Sequence, residues 1–245
     1  MRVACCRTVI TVILGWLLLA FSMDALAFTP VFKKLNGISH IASPEVSFDS
    51  LQAFKAIRRA FEDRNYERVV NLYENSPFFQ KKITNRQLLL WVATSYVYIE
   101  DYQKALTLIS PVLDIEDIQP QFLELGGIIY LNMGLIDPAL RTFKQAYERQ
   151  KGPHQLLGLC AAQVKAGKIN EFLETLTFFE TRFNAATHPW FYYYAGVASM
   201  CKGDHKKAAN DFKTFLTLAE TKGCMDVPKD DLIKLLDFIK REGTR

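Results

Sequence analysis

Along the chain, apolar residues recur three and four positions apart in segments separated by short polar breaks. Such segments start at Leu51 (LQAFKAIRRAFE), Leu88 (LLLWVATSYVYIE), Phe122 (FLELGGIIYLNMG), His154 (HQLLGLCAAQVKAG) and Phe191 (FYYYAGVASMCKG). The spacing places the apolar residues on one face of a helix. Each segment is followed by a second block: RNYERVVNLY from Arg64, EDYQKALTLI from Glu100, GLIDPALRTF from Gly134, GKINEFLETL from Gly167 and GDHKKAANDF from Gly203. Successive starts of these blocks lie 36, 34, 33 and 36 residues apart. Self-similarity at such a period predicts stacked supersecondary units, each unable to bury its apolar face alone.

Within each unit the pattern is consistent. Small residues fall in the middle of the first segment (Ala93, Gly127, Cys160, Gly196), where they allow two helices to approach closely. In the second block a small or medium residue (Val69, Ala105, Ala139, Phe172, Ala208) precedes by four positions a large one (Tyr73, Ile109, Phe143, Leu176, Phe212), an i, i+4 pair on one face. These features resemble the tetratricopeptide repeat, a helix–turn–helix of about 34 residues. The second unit (Ala93, Tyr96, Tyr102, Ala105, Pro111), the third (Gly127, Tyr130, Ala139, Phe143, Ala146) and the fifth (Tyr192, Gly196, Ala208, Phe212) carry the resemblance best. The first departs at Val69 and the fourth at Phe172 and Gln163. The match spans about residues 50–221 and speaks to fold, hardly to activity. The expected fold is all-α, a superhelical solenoid of about five such repeats with a C-terminal capping helix.

Turn chemistry adds detail. Asp101 and Asp204 are expected to cap second helices, Asp137-Pro138 puts an acceptor before a first-turn proline, and Asn170 is expected to cap the fourth second helix two residues late. The stretch VPKDDLIKLLDFIKRE, opening at Val227, alternates apolar and charged residues as an amphipathic terminal cap does. Residues 1–27 differ from the rest: Arg2 and Arg7 precede an apolar run, Val9–Phe21, and the segment ends Ala25-Leu26-Ala27. That is the form of a secretory signal cleaved after Ala27, the alternative being a retained anchor. The organisation expected is therefore a signal at 1–27, a flexible tether at 28–47, repeats at 48–222, and a capping helix and tail at 223–245. A periplasmic or secreted location follows from it.

Composition changes the picture only at its edges. The 245 residues are 49% hydrophobic and 23% charged, a globular balance. The net charge of +4 is spread along the chain in alternating signs, unlike the basic stripe of a nucleic-acid binder, so no nucleic-acid partner is expected. Cys160, Cys201 and Cys224 remain after cleavage; an odd number does not make a disulfide framework, and a Cys201–Cys224 bond is not expected across the length of a helix. Cys160 sits at a packing position. Four histidines show no metal-ligand spacing, and no nucleophile elbow or phosphate loop is present, so no catalytic residue, metal or cofactor is expected.

The resemblance implies that the first helix of each repeat lines a concave face. The outward positions counted there are Arg58 in the first repeat; Gln87, Leu90, Thr94 and Tyr98 in the second; Glu124, Ile128 and Asn132 in the third; His154, Leu157 and Lys165 in the fourth; and Trp190, Tyr193, Val197 and Met200 in the fifth. Lysine, arginine and asparagine are too scattered for a carboxylate clamp. The face is expected to be apolar and richest at THPWFYYY, residues 187–194, since Trp and Tyr are enriched in binding hot spots. The function expected is a non-enzymatic exported adaptor for a protein or peptide, in envelope, pilus or secretion-system assembly. The alternatives are a periplasmic chaperone holding exported subunits, a lipid carrier, and an enzyme built on Glu124 with His154. Membrane contact is expected only through an uncleaved signal, and self-association is left open.

Overall fold

The computed structural model describes residues 48–79, 85–222 and 229–242, and their regular elements are all helical. In order they are α1 (Phe48–Glu62), α2 (Tyr66–Glu74), α3 (Arg86–Tyr98), α4 (Tyr102–Leu113), α5 (Pro120–Asn132), α6 (Ile136–Arg149), α7 (Pro153–Lys165), α8 (Ile169–Arg182), a 3-10 turn (Ala185–Thr187), α9 (Pro189–Cys201), α10 (His205–Thr221) and α11 (Lys229–Glu242). The first ten helices form five consecutive hairpins, and α11 packs against α10 as the terminal cap. The predicted signal, tether, Cys224 and Pro228 lie outside the described residues. The described chain divides into an early unit ending at Thr142 and a late unit beginning at Phe143, the boundary falling inside α6.

One turn is repeated five times. Arg64, Glu100, Gly134, Gly167 and Gly203 all have positive φ, from 57° to 77°. They are the residues that open the five second blocks of the sequence. At each, the following N–H reaches back five residues: Asn65 to Ala60 O at 2.8 Å, Asp101 to Tyr96 O at 2.9 Å, Leu135 to Tyr130 O at 2.8 Å, Lys168 to Gln163 O at 2.9 Å and Asp204 to Ser199 O at 2.9 Å. The left-handed residue's own N–H reaches back three residues. Together these bonds satisfy the last carbonyls of the first helix and turn the chain into the second.

The next residue starts the new helix. Asn65, Asp101 and Asp204 accept from the N–H three residues on, at 3.0, 3.1 and 2.9 Å. In the fourth repeat Lys168 occupies that position without a side-chain cap, and α8 starts at Ile169. The expected late cap at Asn170 is therefore corrected: the left-handed turn at Gly167 sets the helix start, so Asn170 falls inside the first turn. Asp137 and Pro138 likewise lie inside the first turn of α6, where the carboxylate faces the positive helix end. Three first helices, α5, α7 and α9, begin on a proline, which fits the first helical position because its missing N–H has no partner there anyway.

First and second helices are buried differently. The central first helices α3, α5 and α7 each bury nine of thirteen residues, and α9 buries eleven of thirteen. Second helices bury a single stripe: Ala105 and Ile109 on α4, Phe172, Leu176 and Phe179 on α8, Ala208, Phe212, Phe215 and Ala219 on α10. A helix apolar all round is surrounded, whereas an amphipathic one lies at the surface. Approach is close within a hairpin, at Gly196, and between successive hairpins, at Gly158 and Gly126. A Cβ on Gly196 would stand 2.8 Å from the Phe212 ring, and one on Gly158 2.5 Å from Phe143. Gly126, with Leu113 at 3.0 Å, is a close-approach site that the sequence pattern did not mark.

Three substitutions test the turn and this packing. Glu100→Gly should stabilise the fold by about 1 kcal/mol, because a side chain in the left-handed region costs that much, and Gly167→Ala should destabilise it similarly. Gly196→Ala should cost about 1–3 kcal/mol through displacement of Phe212. Urea midpoints at constant m-value measure all three.

Candidate functional site

In the early unit five aromatic rings form a continuous ladder. Phe54 and Phe61 lie two turns apart on α1, Trp91 and Tyr98 two turns apart on α3, and Tyr66 is the first residue of α2. Seven residues on a helix return nearly to the same face, which is why each pair is aligned. Phe54 packs on Trp91 with centroids 5.4 Å apart, Trp91 stacks on Phe61 at 6.0 Å, and Phe61 meets Tyr66 edge-on at 5.9 Å. Tyr66 and Tyr98 then stack at 4.0 Å with planes 6° apart. Phe54, Tyr66, Trp91 and Tyr98 are half-buried, leaving a band of aromatic surface. Arg58 lies exposed on α1 between Phe54 and Phe61, and its Nε donates to Glu62 at 2.8 Å. An exposed pair of this kind is weak and easily redirected.

The predicted partner-binding residues divide by exposure. Tyr98 is a ring of the ladder, and Arg58 lies on α1 between two of its rings. Leu90 and Thr94 are buried on α3, at 1% and 0%, and the Thr94 hydroxyl has no hydrogen-bond partner. Glu124 is buried on α5, while Asn132 is half-buried and donates Nδ2 to Ile128 O at 3.0 Å. In the late unit Leu157 and Val197 are buried, and Lys165 is half-buried, with burial pulling its ammonium below the usual lysine range. Trp190 and Tyr193 are each 5% exposed, so the expectation of an open aromatic face at residues 187–194 is corrected. Trp190 packs 4.8 Å from Phe215, and Tyr193 lies 5.8 Å from Phe212 and 5.5 Å from Phe215. The physical reason is that α9 has no polar face, and α10 offers two phenylalanines one turn apart. Sequence reasoning missed Phe54, Phe61, Tyr66 and Trp91; the seven-residue aromatic spacing in α1 and α3 was the signal for Phe54, Phe61 and Trp91.

Titratable groups gather in two places. Glu74 accepts from Tyr96 Oη at 2.9 Å and from Lys104 Nζ at 2.8 Å, and these two donors hold its carboxyl below the usual range. Burial, then the Glu74 bond, pushes the Tyr96 hydroxyl up. This is a tie between repeats one and two. In the late unit His154 and His188 meet edge to face at 5.7 Å. Cys160 is fully buried and burial pushes its thiol up, the opposite of an activated nucleophile. Glu124 lies in the early unit and His154 in the late one. Among the described residues no group of three or more His, Cys, Asp or Glu side chains is placed to hold a metal ion, and no helix is long and apolar enough to cross a membrane.

Helical hairpins with this turn, this period and these packing positions define a tetratricopeptide-repeat fold. Solved structures agree. MamA (residues 41 to the end) of Desulfovibrio magneticus RS-1 superposes with a TM-score of 0.58 at 15% identity, over 72% of this chain and 98% of that one. TTC0263, a thermophilic TPR protein of Thermus thermophilus, gives 0.58 at 12% identity, over 77% and 97%. YrrB, a TPR protein with an unusual peptide-binding site, gives 0.51 at 14% identity, over 82% and 96%. No protein-family model matches the chain, and no curated protein matches it in sequence.

The exposure difference between the two aromatic clusters has a direct readout. In variants retaining one of the two tryptophans and lacking Trp16, acrylamide should quench Trp91 several-fold more efficiently than Trp190. Equal quenching would contradict the burial assigned to α9.

Proposed function

We propose that the protein is a non-enzymatic, exported adaptor that binds a protein or peptide partner through the aromatic ladder of its first two repeats. The observation that carries this reading is the run Phe54–Trp91–Phe61–Tyr66–Tyr98, five rings in contact, four of them half-buried at one surface. Rigid aromatic side chains supply large contact area at little entropic cost, and interface energy concentrates on such residues. Arg58, with its exposed ion pair, supplies a polar contact at the ladder's side. The peptide-binding site of YrrB, on the same fold, supports a peptide as the class of ligand. The basic start, apolar run and Ala-Leu-Ala end of residues 1–27 support export, and assembly of an envelope, pilus or secretion structure is the setting proposed. Burial pushes the Cys160 thiol up, the opposite of an activated nucleophile at that position.

A photo-reactive residue at position 54, with a control at exposed Lys206, tests the binding surface in the native host. One discrete adduct from position 54 and none from 206 is the expected outcome; no adduct from a folded, exported protein would remove the ladder as the partner site. Trp91→Ala should weaken the captured complex by about 2 kcal/mol or more, roughly thirtyfold in Kd. Mass spectrometry of the exported protein should find Phe28 at its N-terminus.

A further inference from the structure

The late unit brings two imidazoles together where two helices begin. His154 is the second residue of α7, and His188 is the N-cap residue of α9. Their rings meet edge to face, centroids 5.7 Å apart. From α8, Phe179 closes on His188 edge to face at 5.6 Å. From the end of α10, Lys222 Nζ donates to Thr187 O at 2.6 Å and to Ala186 O at 3.4 Å, which places its ammonium beside His188. Among the described residues, the charged or titratable groups facing the pair are thus Lys222 and the two imidazoles themselves, with an apolar ring from α8.

Burial, the Lys222 ammonium, the helix starts and the second imidazole oppose a proton on either ring. Helix starts carry partial positive charge, the ammonium repels a second cation, the two imidazoles repel each other once charged, and burial strips water from both. His188 also holds the local backbone. Its N–H donates to Ala185 O at 2.9 Å, closing the 3-10 turn, and its carbonyl accepts from Phe191 N–H at 3.0 Å, starting α9.

We propose that His154 and His188 form an acid-sensitive latch on the α8–α9 connection: with both imidazoles neutral, the 3-10 turn and the first turn of α9 stay closed, and protonation of the pair opens them. Opening would uncover Trp190, two residues beyond His188, which is otherwise packed on Phe215. The latch lies in the late unit and is independent of the ladder reading.

The sign follows from the neighbours. Burial first, then the nearby His154 and Lys222 charges, push His188 down to about 4, and burial lowers His154. The closed state therefore favours neutral imidazole. Its advantage is complete above the open-state value of about 6.5 and is lost as pH falls from there toward 4. For His188 alone, the closed-to-open ratio falls by about thirtyfold between pH 7.5 and pH 5, and solvent screening of a half-buried ring reduces this toward fivefold.

Hydrogen exchange on the full chain, with labelling times scaled for intrinsic rates, tests the latch. Peptides covering residues 183–192 should lose five- to thirtyfold protection at pH 5.0 relative to pH 7.5, while α3 peptides should not. His188→Asn keeps a residue suited to an N-cap and carries no titratable ring, so its protection should be far less pH-dependent. His154→Gln should give a smaller reduction of the same kind. An unchanged wild-type pattern would overturn the proposal, as would an acid loss in His188→Asn equal to that of wild type.

Discussion

The hairpins of this protein rest on one backbone constraint: a single residue in the left-handed region between the two helices of each repeat. With that residue at positive φ, two back-reaching hydrogen bonds satisfy the end of the first helix and aim the chain into the second. Everything packed later depends on this register. It places Ala105, Ala139 and Ala208, each fully buried, on the inner stripes of their second helices, and it brings Phe212 against Gly196. Where the residue is glycine the conformation is cheap. Where it is Arg64 or Glu100, packing in repeats one and two holds a conformation that the side chain disfavours.

The turn also explains where apolar surface ends up. First helices after α1, covered on several sides, carry few polar residues that reach water. Most of their outward positions are therefore occupied by packing, as Leu90, Leu157 and Val197 are. In the early unit Phe61 alone of the five rings is buried, packed between Trp91 of α3 and Tyr66 of α2, and the other four remain half-exposed. In the late unit α10 brings Phe212 and Phe215 to α9 and consumes the aromatic side chains there. Similar aromatic content gives a surface in one place and a core in the other.

The two clusters of ionisable groups differ in the same physical way. Glu74 has donors on both sides, Tyr96 and Lys104, and its charge is welcome. Among the described residues His154 and His188 have each other, the Lys222 ammonium, two helix starts and the Phe179 ring around them, and charge is unwelcome. Acid acts on the first by removing a charge that is bonded and on the second by adding one beside an ammonium.

The repeat period, the hairpin count, the capping aspartates Asp101 and Asp204, the packing role of Cys160 and the amphipathic terminal helix were legible in the sequence. They follow from local rules: helical spacing, turn chemistry, and small residues at fixed offsets. The start of α8 was misjudged at Asn170, because a backbone turn rather than a side-chain acceptor sets it. One of the five rings of the ladder, Tyr98, was legible, together with Arg58 between two others, and the burial of Trp190 and Tyr193 was not. Periodicity assigns a residue to a helix face but does not say what covers that face. Only the placement of α10 against α9, and of α1 against α3, decided which aromatic rings are core and which remain at the surface.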